Sequence, residues 1–153
     1  MRVVLVEDDY PQGMATREEI FSLFPQAQIL WIKSESAFRL ALSDLAAEPP
    51  DLFILDVMVR WAGTERPIPE PPMEIKREGF FRAGLRCQRL LAAEPRLRSV
   101  PVLLLSVLEE RDLSLSLRQL DPAIPTVRFL QKGRESVVEA IEKILHARSS
   151  RPN

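Results

Sequence analysis

Short apolar stretches recur along the chain at residues 3–6, 29–32, 52–55, 102–105 and 127–130. Each reads as a run rather than as an alternation of apolar and polar positions. Runs of this kind mark strands buried on both faces, as in a parallel sheet covered by helices. The intervening segments then have to carry the helices. Residues 11–24 place Pro11 in a first turn, where its fixed φ assists, and offer Met14, Ile20, Phe21 and Phe24 as apolar positions. Residues 35–47 form a second helix that stops before Pro49 and Pro50. Residues 80–93 form a third, with Phe80, Gly84, Cys87 and Leu91 on one face and Pro95 beyond its end. A fourth spans 109–120 through Leu113, Leu117 and Leu120 at helical spacing. The fifth, 135–147, carries an apolar stripe of Val137, Val138, Ile141, Ile144 and Leu145, with Glu139 and Lys143 as an outward i,i+4 pair.

Five βα units joined by right-handed crossovers make either a partial barrel or an open sheet, and five strands are too few to close a barrel of the usual kind. The expected fold class is therefore α/β, an open, doubly wound, five-stranded parallel sheet with helices on both faces. Residues 60–79 break the rhythm with Pro67, Pro69, Pro71 and Pro72. Loops of that length are functional or disordered. Trp61, Ile68, Met73 and Ile75 give this one apolar groups to bury, so it is expected over or beside the rim of the sheet rather than trailing into solvent, with Trp61 a candidate cover for a site there.

Composition narrows the class further. The 153 residues carry 21 Lys plus Arg against 22 Asp plus Glu, and 46% are hydrophobic. That describes one globular domain able to fold without metal or disulfide. The balanced charge gives no footprint for nucleic acid, which is not expected as a partner. A lone cysteine, Cys87, fits a reducing compartment, so a cytoplasmic location is expected. It reads as a small core residue, because His146, the only histidine, lies far along the chain. Glu7, Asp8 and Asp9 interrupt the N-terminal apolar run before a signal peptide could form, and residues 100–108 are too few to cross a bilayer, so no membrane association is expected. Arg82, Arg86 and Arg89 read as a solvated helix face, a patch for an anionic partner being the alternative.

Ligands of open α/β sheets sit beyond the carboxyl ends of the strands, at the point where strand order reverses. Those ends carry Glu7, Asp8 and Asp9 after the first run, Asp56 after the third, Ser106 after the fourth and Lys132 after the fifth. A single carboxylate in such a place also serves as a helix N-cap. If the first and third strands are neighbours, however, Glu7, Asp8 and Asp56 converge, and carboxylates that close repel unless a cation or protons intervene. A hard divalent ion such as Mg²⁺, completed by a phosphoryl oxygen, suits the set. Ser106 and Lys132 add a hydroxyl and a positive charge for the remaining oxygens, which points to an acyl phosphate.

The stretches VVLVEDD, DLFILDVMV, VPVLLLSV and VRFLQKG, in that order, resemble the motifs of response-regulator receiver domains, and the resemblance runs over nearly the whole chain. It implies a flavodoxin-like sheet of order 2-1-3-4-5, residues 1–148 as a single-domain receiver with an inserted loop at about 60–79, and residues 149–153 as a short tail without a DNA-binding output domain. It also implies that Asp56 is the phosphoacceptor and one of the metal residues, that Asp8 ligates Mg²⁺ directly, and that Glu7 does so through water. The backbone carbonyl of Met58 would be a further metal ligand, Ser106 the switch hydroxyl, Lys132 the phosphate-pairing cation and Phe129 the aromatic switch. The implied partners are a histidine kinase or phosphotransfer protein and a downstream target. The protein would be a monomer or weak homodimer, with self-phosphorylation and self-dephosphorylation as its only chemistry. The fourth helix, fifth strand and fifth helix would form the responsive surface. Two departures stand out: Gly133 follows Lys132 where the family commonly has proline, and Arg60 and Trp61 stand where a proline usually follows the phosphoacceptor. The alternatives are a degenerate receiver that binds partners without phosphorylation and a small Mg²⁺-dependent phosphohydrolase with the inserted loop as its cap.

Overall fold

The computed structural model describes residues 1–64, 66–109, 111, 127–134 and 136–149. Strands β1 (Arg2–Val6), β2 (Gln28–Ile32), β3 (Leu52–Asp56), β4 (Val102–Ser106) and β5 (Val127–Gln131) form one parallel sheet of order β2-β1-β3-β4-β5. Helices α1 (Tyr10–Leu23), α2 (Glu35–Ala47), α3 (Met73–Glu78), α4 (Ala83–Ala93) and α5 (Val137–Ser149) complete the described elements, with a 3₁₀ turn at Phe80–Arg82 leading into α4.

Continuous burial of the strands has the expected cause: successive side chains enter two different cores. Val4, Val6, Phe53, Leu55, Val102 and Leu104 pack on one face with Phe38 and Leu45 of α2 and Cys87 and Leu91 of α4. Val3, Leu5, Leu52, Ile54, Leu103 and Leu105 pack on the other with Ile20 of α1 and Ile141 and Ile144 of α5. The two edge strands depart from this rule: β2 alternates between exposed and partly buried positions, and Arg128, Phe129 and Gln131 of β5 are only partly buried.

Local signals fix the helix starts. Asp9 caps α1 by accepting from the Gln12 amide at 2.9 Å, and Ser34 caps α2 by accepting from Ala37 at 3.2 Å. The start of α4 is set by close approach instead. A Cβ on Gly84 would lie 2.9 Å from the carbonyl carbon of Asp56 and closer still to its oxygen, so only glycine lets this turn press against the end of β3.

Three expectations need correction. The insertion contains a helix, α3, whose Ile75 is buried. Phe80 is 56% exposed rather than part of the apolar face of the third helix, because it lies in the 3₁₀ turn before α4 begins. Arg86 is buried, not solvated, because Glu35 of α2 meets it inside the structure. Its Nε donates to Glu35 Oε1 at 3.0 Å and its Nη2 to Oε2 at 2.7 Å. Arg82 and Arg89 do face solvent. The expected helix at 109–120 lies outside the described residues.

Candidate functional site

The order β2-β1-β3-β4-β5 places the reversal between β1 and β3, so their carboxyl ends open a crevice on the sheet edge. Glu7, Asp8 and Asp56 meet there, with one ligand oxygen from each lying within 4.8 Å of the others. These acids line a cleft of about 240 Å³ together with Met58, Arg60 and Lys132.

Lys132 is held at the centre of the acids. Its Nζ donates to Glu7 Oε2 at 2.6 Å, to Asp56 Oδ2 at 2.8 Å and to Gln12 Oε1 at 2.6 Å. Burial works to lower its pKa, but the charges of Asp56 and Glu7 outweigh burial and hold the ammonium above its ordinary value. The turn that aims it uses Gly133 at φ +82°, a conformation that L side chains rarely adopt, and the Lys132 amide donates to the Ser106 carbonyl at 2.8 Å.

Burial, and next the charge of Asp56, push the Glu7 carboxyl up to about 7 against the opposing pull of Lys132. Its Oε1 also accepts from the Asp9 amide at 3.0 Å. The phosphoacceptor candidate Asp56 is 6% exposed and accepts at Oδ1 from the Met58 amide at 3.1 Å, which turns the Met58 backbone toward the cleft. Asp8 carries a cation of its own: Arg60 Nε donates to its Oδ2 at 2.8 Å and Arg60 Nη2 to its backbone oxygen at 3.0 Å.

Glu7, Asp8, Asp56, Met58 and Lys132 are thus together, as the sequence led us to expect. Ser106 is fully buried at the end of β4, its Oγ accepting from the Leu108 amide at 3.0 Å. Phe129 is half-buried on β5 opposite Leu104 and packs against the core that holds α2 and α4. Trp61 does not line the cleft. It is turned away, its Nε1 donating to the Pro69 carbonyl at 2.7 Å and its ring lying under the Arg39 guanidinium, so the insertion packs beside the cleft and not across it.

Gln12 at the site and the buried Glu35–Arg86 pair behind it were not foreseen from the sequence. Gln12 stands three residues after the N-cap Asp9, a spacing that would have placed it in the first turn of α1 but would have aimed its side chain back at the Asp9 amide, which Glu7 takes instead, leaving Gln12 to Lys132. The Glu35–Arg86 pair had no local signal, since it joins residues far apart in sequence. Burial pushes the Cys87 thiol well above its ordinary pKa, in keeping with a core role.

The donor set suits a hard divalent ion. Three carboxylates converge on one point, and the two cations now lying among them show how strongly the cleft demands positive charge.

No family model matches the sequence, and no curated protein is similar to it. Solved structures are. A receiver domain of a histidine kinase from Syntrophus aciditrophicus is 21% identical, with 99% of this chain and 94% of that one covered at a TM-score of 0.64. The phosphorylated cyanobacterial phytochrome response regulator RcpA is 16% identical over 99% and 98% of the two chains, at 0.65. The receiver domain of a sensor histidine kinase from Pseudomonas aeruginosa, with a magnesium ion coordinated in its active-site cleft, is 14% identical over 95% and 94%, at 0.64. The fold is that of the response-regulator receiver domains of two-component systems. Among the described residues no helix is long and apolar enough to cross a membrane.

Proposed function

We propose that the protein is a phosphoacceptor switch, in which Asp56 takes a phosphoryl group from a histidine kinase or phosphotransfer protein and the acquired charge alters partner binding. The observation that carries this reading is the meeting of Glu7, Asp8 and Asp56 around one point with the Lys132 ammonium 2.8 Å from Asp56. In the transfer an Asp56 carboxylate oxygen forms the new P–O bond while the P–N bond to the donor imidazole breaks, and the imidazole nitrogen keeps the electron pair and takes up a proton.

Asp8, Asp56 and the Met58 carbonyl would hold Mg²⁺ directly and Glu7 would hold it through water. The ion supplies charge neutralisation for the carboxylates and the incoming phosphoryl oxygens. Lys132, already fixed between Glu7 and Asp56, needs only a small shift to pair with a phosphoryl oxygen. Ser106, whose Oγ accepts from the Leu108 amide, would turn its own hydroxyl proton to that group, a contact made in only one of the two states, as a switch requires. Phe129 would follow into the space this turn leaves.

Intact mass after incubation with acetyl phosphate and Mg²⁺ tests the reading. One phosphate adduct is expected in wild type and none in Asp56→Asn or in excess EDTA. A degenerate module would give no adduct in wild type, whereas a phosphohydrolase would release phosphate continuously from the donor without retaining it.

A further inference from the structure

We propose that Arg60 is a built-in counter-cation of the metal position: it pairs with Asp8, is displaced by a divalent ion that binds there, and so ties metal binding to the inserted segment. The inference rests on the phosphoacceptor reading in taking Asp8 as a metal-binding carboxylate. Glu7 and Asp56 share Lys132, whereas Asp8 is gripped by Arg60 alone among the described cations, at the side chain and at its own backbone oxygen. Arg60 holds Asp8 at Oδ2 and at the backbone oxygen, so a Mg²⁺ about 2.1 Å from the other carboxylate oxygen would stand a few ångström from the guanidinium, and the repulsion between the two cations sets them in competition for Asp8. Arg60 is therefore a positioning residue that competes for Asp8.

Its release would not go unnoticed by its neighbours. The Arg60 carbonyl accepts from the Glu35 amide at 3.0 Å and the Trp61 carbonyl from the Ser36 amide at 2.8 Å, which fastens this backbone to the first turn of α2. The Trp61 indole then reaches into the insertion at Pro69. A side chain pulled off Asp8 thus pivots on a fixed backbone next to Trp61. The Arg60 side chain is 52% exposed, so the grip is an ordinary partly solvated ion pair, and its loss should change metal affinity by about two- to fivefold.

Calorimetric titration with Mg²⁺ and ¹⁹F NMR of protein containing 5-fluorotryptophan test this together, the Trp31 and Trp61 resonances being assigned with Trp31→Phe. Arg60→Ala should bind Mg²⁺ about two- to fivefold tighter than wild type, Arg60→Lys should fall between them, and Lys33→Ala, which removes a positive charge outside the cleft, should match wild type. Mg²⁺ should shift the Trp61 resonance in wild type and much less in Arg60→Ala. Equal affinity for wild type and Arg60→Ala, or equal tightening by Lys33→Ala, overturns the competition while leaving the phosphoacceptor reading intact. An undiminished Trp61 response in Arg60→Ala overturns the link to the insertion. Failure of both wild type and Arg60→Ala to bind Mg²⁺ overturns the phosphoacceptor reading and this inference with it.

Discussion

Replacing Arg86 by Met removes one half of a buried ion pair and should be among the most damaging single changes in the molecule. The Arg86 side chain is 1% exposed and that of Glu35 is 0% exposed, and their contact is two-pronged, at 2.7 and 3.0 Å. Breaking such a pair from one side leaves a charge without compensation and costs about 3–5 kcal/mol. Glu35 would keep Arg39 at 2.9 Å, which places Arg86→Met toward the lower end, about 3 kcal/mol. For a domain of this size that corresponds to a fall in Tm of about 6–12 °C. Glu35→Met strands Arg86 with the solvent-exposed Glu78 at 3.3 Å and should cost a similar amount. The double variant Glu35→Met, Arg86→Met removes both charges and fills the volume with flexible apolar side chains, so it should recover most of the loss, to within about 1 kcal/mol of wild type. Urea unfolding of the four proteins closes the cycle. A cost below about 1 kcal/mol for Arg86→Met, or a double variant that loses the sum of the two single losses, would refute the buried-pair account. Salt should change the coupling little, since buried pairs are weakly screened.

Gly84→Ala should displace the Asp56 backbone and slow phosphorylation by acetyl phosphate at least several-fold while the fold persists, as followed by circular dichroism and adduct mass. An unchanged rate would mean that α4 can retreat freely. Mg²⁺ affinity should weaken several-fold from pH 7.5 to pH 6, because the Glu7 carboxyl, raised to about 7, gains a proton in that window, whereas an ordinary carboxyl would already be ionised throughout. Titrations by calorimetry at the two pH values decide this. Ser106→Ala should still form the adduct, yet chemical shifts of Phe129 should respond to phosphorylation far less than in wild type.

The sheet was legible because the strand code is short-range. Val3 to Val6 and Leu52 to Leu55 are apolar on both faces, as strands of a doubly covered sheet are, and all are buried. The site followed from strand ends, since Glu7, Asp8, Asp56 and Lys132 need only the strand order to bring them together. Features that depend on side-chain reach across the fold were not legible. Arg86 sits on a helix among exposed arginines and became a core residue only because Glu35, 51 positions away, meets it. Met73–Glu78 has no side-chain cap and follows two prolines, so nothing local announced a helix; Ile75 in the interior and the Arg39–Glu74 and Arg86–Glu78 contacts hold it.

The place where the insertion leaves and rejoins the domain has a practical meaning. The Gly84 amide donates to the Val57 carbonyl at 3.2 Å, so the strand that carries Asp56 and the helix that follows the insertion are fastened to each other at the insertion's base. Everything between that staple is a closed excursion, and lengthening such an excursion carries only a slowly growing entropic penalty. Those two residues therefore bound a natural grafting point, at which a fluorescent protein or a second binding module with closely spaced termini can be seated beside the cleft without rerouting any strand.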